Sequence, residues 1–253
     1  LGCFFAEHGD LTRAQARPFH LRLWVDAQAQ LESDWSVKRW IATVKACFGW
    51  AVKMGVIERH PFLGVSQSGG KRGRPLTDAE FQALMREATD GRLKRFVLFL
   101  RLTGCRPGEA AGARWADLDL ERGVIVLAEH KTARKTGEAR TIYLPAVALR
   151  LLAWIRVNDC GETIFMNAWG RPWSNGALSQ RLAGIRERAG LPKDAKWYGA
   201  RHKLATDAIL RGVDLATLAE ILGHKGTRTT SHYIHLAGRT GHVRGAVEKA
   251  LGH

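Results

Sequence analysis

The first part of the chain carries apolar residues at the spacing of an amphipathic helix. Between residues 33 and 57 they recur at spacings of three and four, namely Val37, Trp40, Ile41, Val44, Phe48, Ala51 and Val52. This period places them on one helical face. A second helical pattern surrounds residues 21–31. The sequence therefore predicts a small helical domain over residues 1–65. Because the chain has no initiator Met, we expect it to be part of a longer protein that extends before Leu1.

A polar segment separates this pattern from the rest of the chain. Residues 66–75, SQSGGKRGRP, combine Gly, Ser and Pro with basic residues and contain no apolar side chain. Such a composition is typical of a flexible linker. We predict a linker over 66–75 and a second domain over 76–253. Whether the basic residues of the linker follow a phosphate backbone or only connect two domains stays open at this point.

The second domain begins with a helix start signal and continues with mostly helical patterns. Thr77 and Glu80 have the spacing of a capping box. Residues 93–102 predict a dense apolar helix, and Gly104 is placed to end it. Further helical patterns cover residues 146–156, 175–189, 201–211 and 215–222.

Two short runs interrupt the helical pattern in the middle of this domain. Residues 123–128, GVIVLA, and 140–144, RTIYL, are rich in β-branched and aromatic side chains, as strands are. The basic segment between them, residues 129–139, predicts a hairpin loop. The expected fold is therefore mainly α with a small antiparallel β-sheet: an α+β domain preceded by a helical one.

The charge of the chain indicates a polyanionic partner. It has 39 Lys and Arg residues against 24 Asp and Glu residues, a net charge of +15 and a pI near 10.3. Such an excess fits nucleic acid, because basic side chains that neutralise phosphates release counterions. An anionic membrane surface and a merely soluble basic protein are the other interpretations of the charge. However, no apolar run is long enough to span a bilayer, and no amphipathic helix dominated by Lys and Trp stands out.

The cysteines argue against a zinc ribbon or a disulfide framework. Cys3, Cys47, Cys105 and Cys160 lie far apart, and no two form a Cys-x-x-Cys pair. We therefore predict reduced thiols that pack as small apolar residues, which is typical of the cytosol.

Four places carry polar residues that packing alone does not require, and two of them come early in the second domain. The stretch 103–109, TGCRPGE, places Arg106 between a helix-ending Gly and a Pro suited to the next helix start. The N–H groups of such a start favour an anion, and Glu109 is spaced to hold the guanidinium or to cap the helix. Lys131 lies in the hairpin loop, where its ammonium can reach over a substrate.

The other two places lie towards the end of the chain. Residues 198–202, YGARH, precede an apolar helical pattern. Residues 222–226, LGHKG, put His224 directly after Gly223, a residue suited to a left-handed helix stop. Tyr233 follows after a further short polar stretch. An apolar helix that ends in Gly-His and is followed by such a Tyr is not a general packing pattern.

Taken together and in this order, the motifs resemble the tyrosine recombinase (phage integrase) family. The resemblance extends from about Thr77 to Tyr233, and residues 48–62, FGWAVKMGVIERHPF, look like part of the family's core-binding domain. It implies a site-specific DNA recombinase or integrase that cuts and rejoins strands through a 3′-phosphotyrosine, with no metal and no cofactor. The catalytic residues that it implies are Arg106, Lys131, Tyr198, Arg201, His224 and Tyr233.

The resemblance also implies a role for most of these residues. Arg106 and Arg201 would hold the phosphate, since guanidinium groups stay charged and bind phosphate in a bidentate manner. His224 would add a further donor. Tyr233 would attack phosphorus as the nucleophile. Lys131 would protonate the leaving 5′-oxygen, with Lys135 as the second choice.

One position departs from the family pattern. The family usually has a His three residues before the second catalytic Arg, and here that position is Tyr198. A phenol of ordinary pKa near 10 is a poorer base than an imidazole. What removes the proton of the nucleophile is therefore open. We expect His202 to be structural, and His232 and His235 to be ordinary packed or surface residues rather than metal ligands.

Basic residues outside this set are candidates for contact with the DNA backbone. They are Lys38, Arg39, Lys45, Lys71, Arg72, Arg74, Arg134 and Lys135. For those in the first domain, a solvated helix face is an equally good explanation. The expected partners are double-stranded DNA and further copies of the chain, as a tetramer on two DNA sites and a monomer when free. We expect a cytoplasmic, nucleoid-associated protein of bacterial or phage origin, without a membrane partner.

Two other functions remain open at this point. A type IB topoisomerase uses the same chemistry to relax supercoiled DNA. A non-catalytic DNA-binding protein with this fold is the other alternative. Tyr198 favours that alternative, whereas the presence of a nucleophile and both arginines opposes it, because binding alone needs no nucleophile.

Overall fold

The computed structural model describes residues 2–12, 15–28, 34–67, 73–128, 139–158 and 161–237. The chain divides into two compact units. Unit 1 comprises Leu1–Arg72 and unit 2 comprises Gly73–His253. The division falls inside the segment 66–75.

Unit 1 contains three helices in its described part. They are α1 (Gly2–His8), α2 (Pro18–Asp26) and α3 (Asp34–Lys53). Pro18 occupies the first turn of α2, where its missing N–H costs nothing. The helix expected around residues 21–31 thus begins earlier and ends earlier.

The core of unit 1 is an aromatic cluster. Phe4 of α1 packs edge-on against Trp24 of α2 and against Phe62, with ring centroids 5.2 and 5.7 Å apart. Ile41 and Val44 supply the apolar face of α3, as their spacing predicted. Edge-to-face aromatic pairs add specificity to apolar burial, so this small unit gains a defined core from few residues.

The described part of unit 2 is mainly helical, with three short strands. Its helices are α4 (Asp78–Glu87), α5 (Gly91–Thr103), α6 (Pro107–Gly112), α7 (Ala146–Asn158), α8 (Asn175–Arg188), α9 (Tyr198–Leu210), α10 (Leu215–Leu222), α11 (Thr227–Thr230) and α12 (His232–Ala237). The strands are β1 (Leu118–Asp119), β2 (Val124–Leu127) and β3 (Arg140–Tyr143).

The strands form one antiparallel sheet in the order β1-β2-β3. Ile125 of β2 lies opposite Leu118 on one side and Ile142 on the other. The expected small antiparallel sheet is therefore confirmed, with β1 as an additional edge strand of two residues. Ile125 and Ile142 are fully buried, which fixes the register because a one-residue slip would turn them to the opposite face.

The main core of unit 2 joins α5 to α7, α8 and the sheet. Phe96 and Phe99 of α5 pack against Phe165 at centroid distances of 5.5 and 4.8 Å. Leu152 of α7 and Leu178 of α8 belong to the same buried cluster. The dense apolar pattern of α5 thus makes it the central helix of this core.

A second, smaller cluster lies at the C-terminal end of the described residues. It contains Ala205 and Ile209 of α9, Leu218 and Leu222 of α10, and Tyr233 of α12. These helices therefore pack around a shared apolar centre, and the Tyr is held by packing as well as by polar contacts.

Capping signals in the sequence set several helix boundaries. Thr77 and Glu80 form the predicted capping box at α4, with hydrogen bonds of 2.9 and 3.1 Å. Gly104 ends α5 and Gly223 ends α10, each with a left-handed backbone at φ 64° and 61°. A residue without Cβ adopts this conformation without strain. The two stops let the chain turn sharply at the places where the polar motifs follow.

Over the described ranges, no helix combines the length and the apolar character that a membrane span requires.

Candidate active site

Arg106 lies at the N-cap of α6, shortly after Gly104 ends α5. Glu109 plays both parts expected of it. Its Oε2 accepts from the Arg106 backbone N–H at 2.9 Å, and its Oε1 accepts from Arg106 Nη1 at 2.6 Å. Arg106 Nη2 also donates to the carbonyl of Gly223 at 3.3 Å. The guanidinium is therefore fixed in direction while 34% of the side chain stays exposed.

Arg201 lies in the first turn of α9 and is only 1% exposed. Its Nη1 donates to the carbonyl of Gly104 at 2.7 Å, and its Nη2 donates to the carbonyl of Leu222 at 2.5 Å. Both carbonyls lie at helix C-termini, where the helix dipole is negative. The buried Nε of Arg201 has no hydrogen-bond partner among the described residues. A buried donor without a partner is costly, so an anion beside it would be stabilised.

His224 follows Gly223 and contacts two polar groups. Its Nε2 lies 3.0 Å from Arg201 Nη2, and its Nδ1 lies 2.8 Å from the hydroxyl of Thr230. A guanidinium can only donate, so Nε2 accepts and the Nδ1–H donates to Thr230. The sequence predicts that His224 donates a hydrogen bond to phosphate, whereas in this arrangement its Nε2 accepts one from Arg201. Burial, followed by the charges of Arg201 and Arg106, lowers the pKa of His224 to about 4.

Tyr233 lies in α12, is 3% exposed, and is oriented by α9. Its hydroxyl oxygen lies 3.1 Å from Nδ1 of His202. Burial raises the pKa of Tyr233, and the charge of Arg201 opposes that increase. The ring of Tyr233 is parallel to that of His224, with centroids 6.4 Å apart. The nucleophile that the sequence predicts is thus directly beside the predicted phosphate ligands.

His202 differs from its expected role. We expected a structural residue, because His202 does not occupy the family's usual His position. The structure instead places its Nδ1 against the hydroxyl of Tyr233. Burial, followed by the charges of Arg201 and His232, lowers the pKa of His202 to about 4, so its imidazole is neutral at pH 7. The only sign of this contact in the sequence is that His202 directly follows Arg201 on the same helix.

Tyr198, the first residue of α9, packs against this centre through its ring. The ring meets His202 edge-on at a centroid distance of 4.9 Å and lies 5.7 Å from the Arg201 guanidinium. Burial lowers the pKa of Arg106, but Glu109 and, to a smaller extent, Tyr198 outweigh it, and the pKa is raised. Tyr198 therefore lies among the predicted catalytic residues and contacts several of them.

Arg140 is a buried charge that no motif in the sequence marks. It begins β3, is 6% exposed, and its Nη2 donates to the carbonyl of Ile221 at 2.8 Å. Its Nε lies 3.5 Å from Oε2 of Glu109. Burial lowers the pKa of Arg140, and the carboxylate of Glu109 opposes that shift. Arg140 thus ties the sheet to the end of α10, immediately before His224. In the sequence it looks like an ordinary polar residue at a strand start.

Three arginines and one carboxylate therefore form a connected network, which we call the arginine cluster. It consists of Arg106, Glu109, Arg140 and Arg201. Fixed guanidinium groups at the ends of two helices provide donors and positive charge to an anion without moving. Chemically, the arrangement can bind a phosphate and stabilise additional negative charge on it. The buried phenol of Tyr233 and the neutral imidazoles of His202 and His224 complete the site.

The remaining predicted site residues fall into two groups. The first lies outside the described residues: Lys131, Arg134, Lys135, Lys71 and Arg72. The second comprises Lys38, Arg39, Lys45 and Arg74. Lys38 and Arg39 are exposed on α3, and the ammonium of Lys38 lies 5.4 Å from the ring of Trp35.

Lys45 and Arg74 have protein partners that the sequence did not predict. Lys45 Nζ donates to the carbonyls of Leu63 and Val65 at 2.8 and 2.9 Å, within unit 1. Arg74 pairs with Glu80 at 2.6 Å and with Asp194 at 2.9 Å, within unit 2. Those carboxylates raise the pKa of Arg74. Both cations hold neighbouring chain segments in place. The charge of Arg74 is already balanced by the carboxylates of Glu80 and Asp194.

Comparisons with known proteins point to one family. The model of the phage integrase family matches residues 74–239. Tyrosine recombinase XerC of Lactobacillus leichmannii is 24% identical over 233 residues, which cover 86% of this chain and 77% of that protein. Tyrosine recombinase XerC of Xanthomonas axonopodis pv. citri (strain 306) is 29% identical over 237 residues, covering 88% and 75%.

A solved structure shows the same fold. The crystal structure of a lambda integrase tetramer bound to a Holliday junction matches with a TM-score of 0.71 and 20% identity, over 90% of this chain and 68% of that one. At this identity the likeness is evidence for the fold alone, and the roles of individual side chains depend on the geometry described above.

Proposed function

The chain belongs to the phage integrase family, and on that premise we propose that it is a site-specific DNA recombinase acting through a 3′-phosphotyrosine. Its substrate is double-stranded DNA. The reaction cuts and rejoins strands without an external energy source, because the energy of the phosphodiester is kept in the bond between DNA and protein.

The observation that carries this proposal is the meeting of Arg201 and Tyr233 in one buried centre. Arg201 is 1% exposed and Tyr233 is 3% exposed, and the charge of Arg201 acts directly on the phenol. Burying a charge costs several kcal/mol unless it is compensated, and packing alone gains nothing from it. A phosphate bound beside the guanidinium would supply the missing counter-charge next to the nucleophile.

In the proposed mechanism, Arg106 and Arg201 bind the non-bridging oxygens of the scissile phosphate. The pentavalent transition state carries more negative charge than the ground state, so fixed cations stabilise it more strongly. Glu109 and Arg140 position this pair rather than contact DNA. The negative charge of the phosphate would also favour a protonated His224, which would then donate from Nε2.

Tyr233 attacks phosphorus through its phenolic oxygen, and the bond from phosphorus to the 5′-oxygen breaks. The leaving oxygen takes up a proton, which we assign to Lys131 by family resemblance, with Lys135 as the second choice. Attack by the freed 5′-hydroxyl of another strand reverses the reaction and releases Tyr233. Tyr198 packs beside Arg201 and His202 and helps to hold both side chains in place.

DNA contacts outside this centre are proposed for the exposed basic residues Lys38 and Arg39, and for Lys71, Arg72, Arg134 and Lys135. Exchange between two sites requires several protomers, and a lambda integrase tetramer has been seen on a Holliday junction. We propose a tetramer on two DNA sites and action on the DNA of a bacterial cytoplasm.

A nicked suicide substrate tests the proposal, because loss of a short fragment after cleavage prevents religation. The chain has three tyrosines, so each candidate nucleophile can be removed in turn. We expect a protein–DNA adduct with the wild type and with Tyr143→Phe, because Tyr143 is a surface residue that is 41% exposed. We expect none with Tyr233→Phe. An adduct that persists in Tyr233→Phe would contradict the assignment.

A second assay separates recombination from relaxation. The substrate is found by selecting bound sequences from random duplex DNA. Joining of two such sites is expected, and it should depend on the selected sequence. Relaxation of any supercoiled plasmid without sequence dependence would instead identify a topoisomerase activity.

A further inference from the structure

Tyr198 stands where the family usually has a His, so the group that removes the proton of the nucleophile is open. A phenol attacks phosphorus efficiently only when its proton is removed as the new bond forms. The buried environment makes this requirement stricter, since burial raises the pKa of Tyr233. Some group next to the phenolic oxygen must therefore accept the proton.

His202 is in position to do so. Its Nδ1 lies 3.1 Å from the hydroxyl oxygen of Tyr233, which is within hydrogen-bond reach of a general base. The two residues come from different helices, α9 and α12, which pack against each other around a shared apolar cluster. The packing of α9 against α12 therefore fixes the distance between Nδ1 of His202 and the hydroxyl of Tyr233, and this contact is present without bound DNA.

The surroundings of His202 keep its imidazole neutral at pH 7, so that one ring nitrogen can accept a proton. The residue is 9% exposed, and this burial lowers its pKa, as do the charges of Arg201 on its own helix and His232 on α12. Tyr198 covers it edge-on at 4.9 Å. A base with a depressed pKa is available at neutral pH, and the negative charge of a bound phosphodiester would increase its basicity at the moment of reaction.

We propose that His202 is a catalytic residue, the general base that accepts the proton of Tyr233, in place of the His that Tyr198 replaces. This rests on the proposed function. In the step, the O–H bond of Tyr233 breaks and its proton passes to Nδ1. The bond from the phenolic oxygen to phosphorus forms, and the bond to the 5′-oxygen breaks. That oxygen takes a proton from the acid proposed above, and the imidazolium returns its proton to Tyr233 in the reverse transfer.

The test measures single-turnover cleavage of the nicked substrate between pH 6 and pH 9.5. His202→Asn keeps a hydrogen-bonding atom near the position of Nδ1 but cannot take up a proton. At pH 7 its rate is expected to fall about 10²–10³-fold. The wild-type rate should be nearly flat from pH 6 to pH 8. The variant rate should rise about tenfold per pH unit, because its phenol must ionise unaided.

A substrate with sulfur at the bridging 5′ position separates base from acid. A thiolate leaves without a proton, so this substrate rescues the loss of a general acid but not of a general base. The defect of His202→Asn is expected to persist, while Lys131→Ala is expected to be rescued. Rescue of His202→Asn would overturn the proposal, because it would place His202 at the leaving group.

His20→Asn is the matched control, since it makes the same exchange at an imidazole of α2 in unit 1, whose Nδ1 accepts from the backbone N–H of Arg17. Its rate is expected to stay within about threefold of the wild type with an unchanged pH profile. If His202→Asn fails to fold by circular dichroism, His202→Gln is measured in the same way. A wild-type rate that itself rises tenfold per pH unit would overturn the proposal without any variant.

The outcomes separate the two proposals. Absence of any adduct with the wild type contradicts the proposed function. A wild-type adduct together with a His202→Asn rate equal to the wild type, or equally reduced at every pH, contradicts only the role of His202. Either His202→Asn outcome would mean that His202 serves packing only and does not take part in proton transfer.

Discussion

The two units of the chain bury different kinds of side chain. Among the described residues, those buried in unit 1 are apolar, with Phe4, Trp24 and Phe62 at the centre. The buried residues of unit 2 also include polar and charged groups: Thr103, Glu109, Arg140, Arg201, His202, Thr206 and Thr230. The buried core that the structure describes in unit 1 is apolar, whereas that of unit 2 contains a polar centre within its packing.

This difference indicates where the chemistry lies. Replacing buried ion pairs with well-packed apolar residues is often neutral or stabilising, so such pairs are poor devices for stability. Strongly perturbed titratable groups instead collect at functional sites. In unit 2 the buried charges converge on one place, next to Tyr233. The cations exposed on α3 of unit 1, Lys38 and Arg39, belong instead to the proposed DNA contacts.

The largest expected effect is that of changing the buried guanidinium. Arg201→Lys keeps the charge but loses the planar fork that contacts Gly104 and Leu222. Loss of one preorganised donor costs about 10²–10³ in rate, and here the packing of the fork is lost as well. The rate of single-turnover cleavage should therefore fall about 10³-fold.

The control is in unit 1, where Lys38→Arg should change the cleavage rate less than threefold. If Arg201→Lys lowered the cleavage rate only tenfold or less, the claim that the chemistry depends on the buried charges of unit 2 would be contradicted.

The next effect concerns two glycines, one in each unit. Gly223 has φ 61°, and a Cβ there would lie 2.7 Å from Cδ of the buried Arg140. Gly223→Ala should lower the free energy of unfolding by about 2–4 kcal/mol, through backbone strain and displacement of Arg140. Gly64→Ala in unit 1 meets nothing within 4 Å and should change it by less than about 0.5 kcal/mol. Urea denaturation measures both, and equal losses would contradict the packing described here.

Acid should destabilise unit 2 through its histidines. His202 and His224 have pKa values of about 4 in the folded chain, against about 6.5 when unfolded. The unfolded state therefore binds more protons as the pH falls below about 6.5, and stability is lost down to about pH 4. Each histidine should remove about 1–2 kcal/mol between pH 7 and pH 5. His224→Asn should lose that much less over the same interval, and an identical loss would contradict the assignment.

The smallest effect distinguishes two cations of α3. Arg39 is exposed, whereas Lys45 is held by two carbonyls. If Arg39 contacts a DNA phosphate, Arg39→Met should reduce the slope of log affinity against log salt by about 0.9. Lys45→Met should leave the slope nearly unchanged and reduce stability instead. Fluorescence anisotropy at several salt concentrations measures the slopes, and the opposite order would reassign these two residues.

Much of the fold follows from local signals in the sequence. The apolar period of α3, the capping box at Thr77, the glycine stops at Gly104 and Gly223 and the β-branched runs each correspond to an observed feature. Each depends on residues within one helix, one turn or one strand. The edge strand β1 escaped prediction because two residues are too few to show a period.

The candidate site was predictable only where a motif marked it. Arg106, Arg201, His224 and Tyr233 come from ordered motifs, and the structure brings them together. Arg140 and the contact of His202 with Tyr233 depend on the packing of β3 against α10 and of α9 against α12. No local pattern encodes a meeting between residues so far apart in the chain. The ion pair of Arg74 with Asp194 escaped prediction for the same reason.

The central claim is that the phenol of Tyr233 becomes bonded to DNA. The most direct measurement is mass spectrometry of the trapped adduct after digestion with nuclease and protease. Since the chain has three tyrosines, each in a separate peptide, the attached nucleotide can be assigned to one residue. We predict that the peptide containing Tyr233 carries the nucleotide mass. A nucleotide on the peptide of Tyr143 or Tyr198, or on any residue other than tyrosine, would contradict the account.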